Sequence, residues 1–75
     1  MNPRISIDPQ VQHGRPVIKG TRIPVIRLLG CLAEGMTIAE TAVEYAIPVE
    51  DVLAALDFAS ELVEQAQQRP VAASK

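Results

Sequence analysis

The residue types that do chemistry are scarce and scattered in this 75-residue chain. It has one histidine, His13, and one cysteine, Cys31, in different segments. A zinc site needs about four ligands at suitable spacing, and no such spacing occurs. Cys31 lies in an apolar run with no neighbour that would hold a thiolate, so it is not an activated nucleophile. Gly20-Thr21 lacks the upstream glycine and the following lysine of a phosphate-binding loop. Glu40, Glu44, Glu61 and Glu64 fall where a wet helix face takes charge, not as a paired acid and base. We therefore expect no enzyme, no metal and no cofactor.

The cations are concentrated. Arg4, Arg15, Lys19, Arg22 and Arg27 all precede residue 30, against Asp8 alone. Beyond residue 30, Glu34, Glu40, Glu44, Glu50, Asp51, Asp57, Glu61 and Glu64 outnumber Arg69 and Lys75, and the net charge is −2. One end can meet phosphate while the other faces water or a basic partner. The five cations are the candidate nucleic-acid contacts. No aromatic residue lies among them, which argues against single strands stacked on rings and for double-stranded DNA.

Short elements must position these side chains. Arg4-Ile5-Ser6-Ile7-Asp8 alternates polar and apolar residues, as a half-buried strand does. Pro16-Val17-Ile18 is a second extended piece, stopped at Lys19-Gly20-Thr21, where Gly20 can take a positive φ. From Pro24 the period becomes helical. Val25, Leu28, Leu29, Leu32 and Met36 share one face, Gly30 suggests a close helix contact, and Gly35 is a C-terminal stop. Thr37-Ile38-Ala39-Glu40 is a capping box that opens a second helix to about Ala46. After Pro48 a third helix should run from about Val49 to Gln67. Val52, Leu56, Ala59, Val63 and Ala66 form its stripe, widened by Ala55, Phe58 and Leu62. A stripe this broad needs two partners, so Ala55, Phe58 and Leu62 are the candidate dimer or partner surface.

The fold class is thus mainly α: a three-helix, helix-turn-helix bundle with a short N-terminal β-element. One domain over 1–68 is expected, with the β-element and turn at 4–23, the helices at 24–67 and a frayed tail at 69–75. A domain this small buries only roughly 60% of its unfolded surface and gains from oligomerising, so a homodimer is expected. A lone buried thiol suits a reducing cytoplasm. Neither a secretory leader nor a span of about 18 apolar residues is visible, so no membrane is expected.

The run His13-Gly14-Arg15-Pro16-Val17-Ile18-Lys19-Gly20-Thr21-Arg22-Ile23-Pro24-Val25 closely resembles the opening motif of the family catalogued as domain of unknown function 433. Its usual form is glycine-x-proline-x-isoleucine-x-glycine-threonine-arginine. Leu28 to Gly35, Thr37 to Glu40 and Tyr45 to Leu56 follow the order of the family's later elements. The resemblance covers about residues 4 to 63. It implies a homeodomain-like three-helix fold, often dimeric, and a VapB-type antitoxin role: neutralising a toxin of PIN-like nuclease fold and repressing the operon. The family commonly caps its last helix with serine or threonine, where this chain has Pro48.

The motif residues also have plain structural uses. Gly14 and Gly20 serve backbone geometry, Pro16 and Pro24 rigidity, and Ile18 the core. Thr21 belongs to the same turn. Arg22 either braces the turn by donating to carbonyls, the favoured use for a guanidinium with five donors, or binds phosphate. Two functional readings stay open: an antitoxin and transcription regulator that binds DNA, and a protein-interaction module of helix-turn-helix form that binds none. The acidic start of the third helix, Glu50 and Asp51, favours the second.

Overall fold

The computed structural model describes residues 1–67. Its order is β1 (Ile5–Ser6), a 3-10 turn (Gln12–Gly14), β2 (Val17–Ile18), α1 (Val25–Ala33), α2 (Ile38–Tyr45) and α3 (Val49–Gln67). The expected tail at 69–75 lies outside the described residues.

β1 and β2 pair antiparallel, Ile5 opposite Ile18 and Ser6 opposite Val17. β2 is held on its other edge too, by the Val17–Pro24 bridge and by the Val25 N–H donating to the Pro16 carbonyl at 2.9 Å. Between these edges the chain reverses at Ile18–Thr21. The Thr21 N–H donates to the Ile18 carbonyl at 3.0 Å, and Gly20 takes φ 81. A glycine with positive φ at the third position makes this a type II turn. The Thr21 hydroxyl donates to the Ile18 carbonyl (2.8 Å) and accepts from the Ile23 N–H (3.0 Å). The glycine-threonine pair of the motif therefore ties the hairpin to the start of α1.

Each helix ends as its local sequence dictates. Pro24 is the N-cap of α1 rather than its first helical residue. Past α1, Gly35 takes φ 105, with Met36 N–H bonded to the Cys31 carbonyl and Gly35 N–H to the Leu32 carbonyl. This is a Schellman stop, which needs a left-handed residue where glycine stands. At α2 both halves of the capping box form: Glu40 N–H to Thr37 Oγ1 at 3.0 Å and Thr37 N–H to Glu40 Oε1 at 2.9 Å. α2 closes on a second Schellman stop with no glycine. Ala46 takes φ 54, and the Ile47 N–H donates to the Ala42 carbonyl.

The core joins Ile5, Ile18, Val25, Leu28, Ala54, Ala55 and Phe58. The two strands lean on the helices, which stabilises a ladder too short to stand alone. Fully burying one aliphatic side chain such as Leu28 contributes about 1.5–3 kcal/mol.

Two expectations about packing are corrected. Gly30 makes no close contact: a Cβ built there meets nothing within 4 Å, and the residue is exposed. The buried face of α3 is Asp51, Val52, Ala54, Ala55 and Phe58, whereas Leu56 and Val63 are exposed. The helix is apolar over more than half its girth, and α1, α2 and β1 cover only one sector of its first half.

Candidate nucleic-acid interface

The five early cations divide into two groups. Arg4 precedes β1, and its backbone carbonyl accepts from the Lys19 N–H at 2.8 Å. Its guanidinium does not face solvent freely: Nη1 donates to Asp51 Oδ1 at 2.8 Å. Asp51 is largely buried in the first turn of α3. Arg4 thus anchors the β-element to α3, and Lys19 stands exposed beside it.

Arg15, Arg22 and Arg27 converge instead on one recess of about 350 Å³, lined also by Gln12, Ile23, Pro24 and Tyr45. Three local devices bring them there. Gln12, His13 and Gly14 take φ 50, 58 and 82, a left-handed turn that delivers Arg15. The type II turn presents Arg22. The first turn of α1 presents Arg27. All three arginines are exposed, and among the described residues none forms an ion pair. Among the described residues Arg22 donates to no carbonyl, so the expected bracing is not seen there; the Thr21 hydroxyl organises that turn.

Among the described residues no carboxylate lines the recess. The N-terminus of α1 opens beside it without a side-chain cap and without an acidic residue in its first turn. The Val25 N–H is taken by the Pro16 carbonyl and the Arg27 N–H by the Pro24 carbonyl, so this helix start offers chiefly the positive end of its dipole, which favours anions. Guanidiniums around such a start suit a phosphate backbone.

Tyr45 links the recess to the interior. Its hydroxyl accepts from the Cys31 thiol at 3.9 Å. Its pKa is raised above 10.0, by burial first and by Cys31 second, against the opposing pull of Arg27. At neutral pH the phenol is protonated and adds a polar edge without negative charge.

The expected partner surface needs revision. Ala55 is 0% exposed and Phe58 is part of the chain's own core. A residue sealed inside one chain cannot lead an interface. Leu62 is 50% exposed, and it borders an apolar groove of about 410 Å³ between α1 and α3 that reaches only the edge of Phe58. Among the described residues Arg15 is the one charged side chain lining that groove.

Three structural parts escape a reading of spacing alone. Asp51 is placed for a helix start, yet it shares the inward face with Ala55 and Phe58, and a carboxylate there needs a counter-charge. Thr41 is fully buried, and its hydroxyl donates to the Thr37 carbonyl at 2.9 Å. Asn2 bridges the N-terminal segment and α3, donating to Asp57 at 2.9 Å while accepting from the Arg4 N–H.

Among the described residues no helix is long and apolar enough to cross a membrane, and no group of three or more His, Cys, Asp or Glu could hold a metal.

Comparison with known proteins gives limited company. No curated protein matches this chain. The X-ray crystal structure of Rv2018 from Mycobacterium tuberculosis is similar, with 31% identity and a TM-score of 0.63. The likeness covers 69% of this chain and 24% of that one, so this chain corresponds to about a quarter of its length. The family model described as "Protein of unknown function (DUF433)" matches residues 5–59. With that match running from the β-element through the core of α3, the chain belongs to the DUF433 family.

Proposed function

We propose that this protein is a non-enzymatic, cytoplasmic antitoxin-like regulator that binds double-stranded DNA as a dimer and neutralises a toxin of PIN-like nuclease fold. One observation carries the DNA part: three guanidiniums surround the start of α1 in a recess where, among the described residues, they meet neither an ion-pair partner nor a carboxylate. Contacts of this kind position a protein on the phosphate backbone. The toxin part draws on the family resemblance.

The contact differs from that of an ordinary helix-turn-helix. There the second helix of the unit reads the major groove with its first residues. Here the first turn of α3 offers exposed Glu50, and Asp51 is occupied by Arg4. That acidic start favours the second reading, a protein-interaction module that binds no DNA.

A gel-retardation assay with the DNA upstream of the coding region separates the two readings. The DNA reading expects retardation at low salt that Arg22→Ala and Arg27→Ala each weaken and Arg4→Ala leaves intact. Absence of retardation at low salt supports the interaction module.

A further inference from the structure

We propose that the groove between α1 and α3 is the seam of a two-fold homodimer, filled by the second half of α3 from a second copy of this chain. The inference rests on the dimer part of the reading above and not on DNA binding.

α3 has 19 residues, yet its buried side chains end at Phe58. Residues 59–67 continue as helix beyond the core. Short helices are marginal in water unless an amphipathic face packs, and this half has such a face. Leu56, Ala59, Val63 and Ala66 recur at spacings of three, four and three, the seam pattern of paired helices. Val63 is 57% exposed.

At 3.6 residues per turn, Asp57 and Glu61 lie on the side of α3 away from that stripe, and Glu64 stands at its margin beside Val63. Uncharged Ser60 and Gln67 border it too. Two copies can therefore press the centre of this face together without opposing like charges, each keeping one carboxylate, Glu64, at the edge. A strongly charged partner helix finds little counter-charge at its centre.

A two-fold interface must use the same patch on both copies. α3 supplies one wall of the groove through Ala59 and Leu62 and also supplies the occupant, while Ile26 of α1, 62% exposed, stands on the other wall. Each chain offers both halves of the contact. Arg15 lines both the groove and the arginine recess, so the dimer sets one recess beside the seam from each copy.

Sedimentation equilibrium on the purified full chain tests this. The wild type is expected to be a dimer. Leu62→Glu combined with Val63→Glu replaces two exposed residues, and it should weaken the dimer at least about 100-fold while circular dichroism shows the helices retained. Val43→Glu, at an exposed site on α2, should change nothing. A wild-type monomer overturns the proposal, as does a dimer that survives the double substitution or is abolished by Val43→Glu. A monomer whose groove instead captures a helix of another protein, with capture abolished in the same double variant, overturns it too. Arg22→Ala with Arg27→Ala should abolish DNA retention yet still sediment as a dimer, so the two readings fail separately.

Discussion

Arg4, at the edge of β1, donates to Asp51 on α3 at 2.8 Å, bridging 47 positions of sequence. The pair is lopsided: half of the Arg4 side chain is exposed, but only 13% of the Asp51 side chain is. Removing the arginine leaves a mostly buried carboxylate without its donor. Because water reaches the arginine side, the pair is worth less than a fully buried one. We expect Arg4→Ala to destabilise by about 1–2 kcal/mol, and Arg4→Ala with Asp51→Asn to cost less than the sum of the two. Urea denaturation of the four proteins measures the coupling. Strict additivity would show that the pairing contributes nothing.

Gly30 lies exposed inside α1 with open space where a Cβ would stand. Alanine at an exposed helix interior is favoured over glycine by about 1 kcal/mol. Gly30→Ala should therefore raise the thermal midpoint. A lowered midpoint would reveal a close approach at that site after all.

Ala46 gives the converse case. It caps α2 at φ 54, ψ 45, a left-handed conformation that costs a residue with a Cβ roughly 1–2 kcal/mol. Glycine relieves that cost but loses backbone entropy in folding, about 0.5–1 kcal/mol. The balance favours Ala46→Gly by about 0.5–1 kcal/mol in thermal or urea unfolding. Valine at the same site should destabilise, since branching at Cβ tolerates positive φ poorly.

The raised pKa of Tyr45 has a pH signature. The chain has one tyrosine and no tryptophan, so ultraviolet absorbance follows this phenol alone. The folded protein holds the proton above the ordinary 10.0, mainly because burial disfavours the phenolate. The unfolded chain thus ionises first as pH rises. The linked stability is whole below about pH 10 and disappears as pH climbs through the folded value. Arg27→Ala should shift the titration upward and Cys31→Ala downward. A titration midpoint equal to that of the unfolded chain contradicts the assigned environment.

What spacing reveals is local. The capping box, the glycine stop at Gly35, the turn at Gly20 and all three helices follow from rules that act within one or two turns of chain. What it misses is decided at long range. Nothing near Arg4 in sequence announces Asp51, and five early cations look like one patch until the β-ladder and the turns split them. α3 shows the same limit. Its apolar girth is plain, but which sector faces inward depends on where α1, α2 and β1 lie, so Ala55 and Phe58 are inside and Leu56 and Val63 outside. A guanidinium can satisfy several carbonyls, which makes Arg22 look like a brace. The smaller Thr21 hydroxyl already makes both bonds the turn needs.

The most direct test is the salt dependence of DNA affinity. Removing one phosphate contact should lower the slope of log K against log salt by about 1. The account predicts that Arg15→Ala, Arg22→Ala and Arg27→Ala each flatten the slope by about that much, while Arg4→Ala leaves it unchanged. Slopes equal to the wild type in all three recess variants, or a flattened slope in Arg4→Ala alone, would contradict it.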